Sequence, residues 1–313
     1  MSSHCYARGS LKAGLVLVVL AQAVNAAELK QVTLTAWDQY VARENQEVRH
    51  RASDADCFFW ADANPNRYSQ VRAGAVVVEP VGEHNPLPVP SGLIHHWVAA
   101  TFIPDVSTED VLSVTRDYTH YKDYYKPGVA AASLQKTTAS QDEFSIRFMN
   151  TSVLSKTALE GDYLADFVQV NDRRWYSVST TTKMREVRNS GHPNENRLPP
   201  DTGSGYIWRL YSTVRMEERD GGVLLEIEAI ALSRDIPPAL RWLVDPIVRN
   251  VSRDSLEKSL TETSDAVRAH AKLCARAAHP PVAAGQIIES GSCPLHADNS
   301  GFRDQKLSIH ASR

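Results

Sequence analysis

The most constraining stretch of this chain is GSGYIWRLYSTVRMEERDGGVLLEIEAIALSRDIP, residues 203–237, in which two alternating segments flank Asp220-Gly221. A short Asp-Gly loop between two such runs predicts a β-hairpin, and either a two- or a four-residue loop pairs residues whose numbers sum to 441. Arg219 then opposes Gly222, Arg215 opposes Glu226, Val214 opposes Ile227, Ser212 opposes Ala229 and Leu210 opposes Ala231. Side chains alternate across a strand, so the register sorts the hairpin into two faces. One reads Tyr206, Trp208, Leu210, Ser212, Val214 and Met216 with Leu225, Ile227, Ala229 and Ala231. The other reads Arg209, Tyr211, Thr213 and Arg215 with Leu224, Glu226, Glu228 and Ile230. The first is expected to face inward.

The rest of the chain supplies the order around this hairpin. Arg8 and Lys12 precede an apolar run, Ala13 to Ala21, and small residues at 21–26 follow at the spacing of a signal-peptidase site. A bilayer span takes about 20 apolar residues, so residues 1–26 are expected to be a cleaved signal peptide, and the mature chain secreted or periplasmic without an integral membrane segment. Residues 27–90 form an N-terminal extension: a helix over 29–51, a strand over 71–81 and a proline-rich connector. Leu93 to Ile103 then reads as a strand, and Ser107 caps a helix with Asp110 three residues on. A short helical stretch, Tyr118 to Tyr125, precedes strands expected at 129–137, 142–150, 153–161, 163–171, 174–187, 204–219 and 222–233. Glu160-Gly161 is read as one of the turns between them. Pro238 to Val244 forms a helical turn, and Asp245-Pro246 opens a long helix reaching about Ala275. Residues 276–313 are expected to be a disordered tail.

This order resembles the helix-grip fold of the START-like (SRPBCC, Bet v 1-like) superfamily. The resemblance rests on the 93–103 strand, the Asp117-Tyr118-x-x-Tyr121-x-x-Tyr124 segment ending in Pro127, the hairpin, and Ile236-Pro237-Pro238 leading into the final helix. It spans residues 91–275. It implies an α+β domain, a curved antiparallel sheet wrapped around a long C-terminal helix, with a ligand cavity between the two. The expected lining is Tyr206, Trp208, Leu210, Ser212, Val214, Ile227 and Ala229 from the hairpin, with Leu256, Ser259 and Leu260 from the helix. On that helix Leu240, Leu243, Val244, Ile247 and Val251 form one stripe and Leu256, Leu260 and Val267 another, so it either bends or buries two sides.

The expected partner is a lipid or other hydrophobic small molecule. The alternatives are a cyclase/aromatase-type enzyme with an inward polar group (His95, His96 or Tyr206), and an envelope interaction protein docking through its extension and the 188–203 loop. A net charge of -3, from 34 basic and 37 acidic residues, makes no electrostatic case for nucleic acid. No cofactor, metal site or catalytic residue is assigned: His95 and His96 are adjacent on a strand and point to opposite faces, and no metal or nucleophile motif occurs. Arg209, Tyr211 and Glu228 are expected in solvent or under the extension. Cys274 and Cys293 are one possible disulfide, with Cys57 left over.

Overall fold

The computed structural model describes residues 27–54, 57–152, 155–236 and 238–278, with side chains omitted at 150–157, 237–249 and 278. The signal segment and the tail beyond 278 lie outside the described residues. Twelve strands are described: β1 (Ala27–Glu28), β2 (Val77–Pro80), β3 (Leu87–Val89), β4 (Gly92–Pro104), β5 (Val129–Thr137), β6 (Gln141–Ser152), β7 (Ser155–Gln169), β8 (Arg174–Arg188), β9 (Asn196–Arg197), β10 (Thr202–Gly203), β11 (Arg209–Arg219) and β12 (Gly222–Arg234). The helices are α1 (Gln31–Ser53), α2 (Pro65–Arg72), α3 (Thr108–Thr115), α4 (Tyr121–Tyr124) and α5 (Pro238–Ala278).

Ten strands form one antiparallel sheet in the order β2-β4-β12-β11-β8-β7-β6-β5, with β3 also on β4 and β9 on β8. With α5 packed against it, this is the helix-grip α+β fold. The hairpin has the expected register: Arg219 pairs with Gly222, Arg215 with Glu226, Ser212 with Ala229 and Leu210 with Ala231. Its turn works because Asp220 and Gly221 both hold positive φ (55° and 80°), the conformation that a two-residue hairpin loop requires. Ser107 forms the full capping box with Asp110 at the start of α3.

Several boundaries differ from the sequence reading. Val71 lies in the last turn of α2, whose first residue Pro65 follows an Asn64 cap, so the strand expected over 71–81 is a helix end followed by β2 at 77–80. β2 and β3 pair with β4, so this part of the extension belongs to the main sheet. Gly161 is not a turn. It lies within β7 beside a register shift at Asp162/Tyr163, and the Tyr163 ring crosses it so closely that a Cβ would sit 2.6 Å from that ring. The bulge, not a reversal, is why a glycine stands there. Pro238 itself starts the final helix, which continues without a break through Pro246; the expected separate turn and second start merge into 41 residues.

Four packed groups define the interior among the described residues, one of them Phe58, Phe59, Ala61 and Val71 of the extension against Ala100, Phe102 and Leu224. Ile103, Val111, Val114, Trp175, Met216, Leu225, Leu256, Leu260 and Val267 join α3 and α5 to one end of the sheet's inner face. Tyr118, Phe144, Tyr163 and Phe167 fill the strand-6 and strand-7 side. On the opposite face Trp37 of α1 packs with Ile94, Trp208, Tyr211, Ile230 and Leu232.

Candidate functional site

Register across the sheet shows which side chains share the concave face. At one end Trp175, Met216 and Leu225 lie side by side, and with Leu256 and Leu260 they make closed core. The next row along the strands reads Phe167, Ser177, Val214, Ile227, Ala99. The following row reads Ala165, Ser179, Ser212, Ala229, Trp97. Four of these five are Ala or Ser. A run of such small residues leaves a trough between the closed end and the next row, where Tyr163 pairs with Thr181 and Leu210 with Ala231 and His95. With strands about 4.8 Å apart, five of them give a trough roughly 19 Å long along the sheet. Ser179, Leu210, Ser212, Val214, Ile227, Ala229 and Ala231 are only half-buried, so this stretch is more open than the neighbouring end, although Val214, Ile227 and Ala229 still pack against the core that Trp97 and Ala99 join.

The trough's ends carry donors without acceptors. Trp97 Nε1 and the Tyr163 hydroxyl are buried and meet no hydrogen-bond partner among the described residues. An unpaired buried polar group costs about 1–3 kcal/mol, so each is a place where an acceptor stabilises. Burial pushes the Tyr163 hydroxyl well above its ordinary value, and it stays a neutral donor. Tyr125 joins the wall by bonding across 3.0 Å to Thr263 of α5. At the Trp97 end a pocket of about 410 Å³ opens, lined by Pro80, Gly82, Glu83, His84, Asn85, Pro86, Pro88 and Trp97.

Of the expected lining residues, Leu210, Ser212, Val214, Ile227 and Ala229 stand on this face, and Leu256 and Leu260 of α5 are buried at its closed end. Three stand elsewhere. Trp208 packs with Trp37, Ile94 and Leu232 on the convex side, and Tyr206 is 42% exposed. β11 begins only at Arg209, so its alternation does not extend back to Trp208 and Tyr206. Ser259 is solvent-exposed on α5, whereas Thr263 and Ser264 are buried. Residues 240–247, the other helix stripe, lie where side chains are not described, and Val251 is exposed.

The convex face is different chemistry. Arg215, only 1% exposed, bonds through Nη1 to Glu226 at 3.2 Å and Glu228 at 2.9 Å. Arg51 of α1 adds a 2.9 Å bond to Glu226. His96 Nε2 donates to Glu228 at 2.9 Å, leaving Nδ1 to accept from the Tyr40 hydroxyl at 2.8 Å. Burial alone would raise the Glu228 carboxyl, but the His96 hydrogen bond and the Arg215 charge outweigh it and hold Glu228 at about 2. Glu226, deeper still, is pushed up by burial despite Arg215 and Arg51. The expectation that these polar groups lie under the extension is met for Glu228 and for Tyr211, which donates to Asn45 of α1. Arg209 instead pairs with Asp201.

Glu44, His96 and Glu228 bring one ligand atom each within 4.8 Å of one another, a grouping the chain order hides because the three come from three elements. Arg215 and Arg51 already supply positive charge to Glu228, which opposes a cation there. His95, facing the other way, lies 2.9 Å from Ser233 Oγ. Cys274 is disulfide-bonded, Cys57 is exposed, and Cys293 lies outside the described residues.

Trp97, Tyr163, Ala165, Ser177 and Ser179 were missed by sequence reasoning. Their signal is register between distant strands, which no local turn encodes.

No protein-family model matches the sequence, and no curated protein sequence matches it. Solved structures with some likeness include a STAR-related lipid transfer protein from Xanthomonas axonopodis (16% identity, 63% of this chain and 99% of that one, TM-score 0.38). Human STARD10 shares 10% identity over 61% of this chain and 73% of its own, with TM-score 0.39. The Zhui aromatase/cyclase from Streptomyces shares 12% identity over 59% and 98%, with TM-score 0.35. The strand order and the long helix laid against the sheet are those of the helix-grip fold.

Proposed function

We propose that the protein is an exported carrier that binds a hydrophobic small molecule, a lipid among the candidates, in the concave trough. The observation that carries this reading is the row Ala165, Ser179, Ser212, Ala229, whose small side chains leave open space beside closed core. Burying apolar ligand surface there supplies affinity at about 25 cal/mol per Å². Export rests on the residues 8–26 pattern and gives the carrier a reason: an apolar molecule crossing an aqueous compartment needs shelter. Native mass spectrometry of protein purified from its own compartment tests it. A co-purifying apolar molecule in one-to-one ratio is expected; protein that carries none and takes up no added laurate overturns the reading.

A cyclase-type enzyme on the same scaffold would use the inward-facing His95 beside Ser233. Turnover lost in His95→Ala, with binding kept, would favour it over simple carriage.

A further inference from the structure

The pocket at the Trp97 end is not part of the trough's apolar floor. β4 is flanked at its edge by β2, which pairs with residues 97–100, and by β3, which pairs with 92–94. The 81–86 loop bridges the two and is pinned to the strand: Val81 N donates to the His96 carbonyl at 2.9 Å, and the Asn85 side chain both donates to that carbonyl (2.5 Å) and accepts from His96 N (3.2 Å). Pro80 pairs with Trp97 and Pro88 with Leu93, so the prolines lining the pocket stand on the same face as the Trp97 ring. Three prolines and a pinned loop make a preformed wall, which costs little to order on binding.

Trp97 therefore belongs to two spaces. It ends the small-residue row, as the partner of Ala229, and it lines the 410 Å³ pocket. Its indole carries one polar atom, a donor only, and that donor is closed to solvent with no partner among the described residues, so a ligand oxygen reaches it once the ring turns toward the pocket. Glu83 and His84 sit exposed at the pocket's rim, and Trp97 is the residue the pocket shares with the small-residue row.

We propose that this pocket is a subsite for the oxygen-bearing end of an amphipathic ligand, with Trp97 Nε1–H donating to that oxygen while the apolar part lies along the trough. This rests on the concave-face binding proposed above, and it adds an orientation and a ligand class: a chain or ring skeleton ending in a carboxylate, ester, ketone or hydroxyl.

Two twelve-carbon probes separate the claims: laurate, which ends in acceptor oxygens, and dodecyltrimethylammonium, which has none. In the full mature chain, laurate is expected to move one tryptophan indole N–H proton resonance downfield, identified as Trp97 by its contacts to the Pro80 and Pro88 ring protons. Trp97→Phe should weaken laurate about tenfold and leave dodecyltrimethylammonium within twofold. The indole measurement needs only the wild-type chain, so it stands if Trp97→Phe does not fold. Laurate binding with an unmoved Trp97 indole overturns the subsite and leaves the carrier reading intact; no binding of either probe overturns both.

Discussion

The two faces of one sheet have opposite constructions. On the convex face large ionic side chains are buried and tied: Arg215, Glu226, Glu228, His96 and Tyr40 form a chain of bonds that α1 closes over. On the concave face small residues leave room, and the buried polar atoms of Trp97 and Tyr163 lack hydrogen-bond partners among the described residues, as Arg215 Nη2 and Glu217 Oε2 do on the convex face. Strand alternation forces the two to coexist, since Arg215 and Val214, or Glu228 and Ala229, are chain neighbours. The difference teaches where binding and where stability reside. A face whose charges pair mainly with one another has few groups left for a ligand, whereas the half-buried row of the concave face offers room beside the core that α5 helps to close.

The largest expected effect comes from breaking the convex side. Arg215→Met leaves Glu226 and Glu228 buried with a partner removed and should cost about 3–5 kcal/mol in urea unfolding. Adding Glu226→Leu, Glu228→Leu and Arg51→Met, so that no charge of the cluster is left unpaired, should recover most of that loss, because well-packed apolar groups replace buried ion pairs at little cost. An unchanged midpoint for the single variant would contradict the tied-face picture.

A pH series sharpens the same point. Glu228 is held at about 2 in the folded chain, below the ordinary 4.5 of an unfolded glutamate. Its contribution is therefore fully present above about 4.5 and lost as pH falls toward 2. Glu226 and Glu44, shifted upward mainly by burial, act in the opposite direction, favouring the folded state at low pH. The stability advantage of wild type over Glu228→Gln should shrink between pH 5 and 2, read from urea midpoints. A gap that stays constant would show that Glu228 is not held by its partners.

The smallest expected effect is a control away from both faces. Ser107→Ala removes the α3 capping box and should cost about 1 kcal/mol in the same unfolding assay without changing laurate binding. A loss of binding would show that the trough depends on α3 as much as on the sheet.

How much of this was legible depended on whether a constraint was local. The hairpin register could be read because Asp220-Gly221 fixes it within two residues, and with it the inward Ser212 and Ala229. The Ser107 cap was legible for the same reason. Gly161 misled, since a glycine under a folded-back tyrosine ring and a glycine in a turn look alike in a sequence. Trp208 misled because alternation was carried past Arg209, where β11 begins. The trough's other half, Ala165 and Ser179, follows from pairings of β7, β8 and β11 over separations that no turn sets. Glu226 and Arg215 could be paired by register, yet their burial comes from α1, some 160 residues earlier in the chain, and only the tertiary fold reveals it.

The central claim, that the concave trough is the binding site, is tested most directly by filling it. Ala229→Trp puts an indole where the small row passes Ser212 and Trp97, at a half-buried position beside the core where overpacking costs about 1–3 kcal/mol. In a native mass-spectrometric titration with laurate, wild type should reach one ligand per chain and the folded variant should lose at least tenfold in affinity. Equal laurate occupancy in the two proteins would contradict the account.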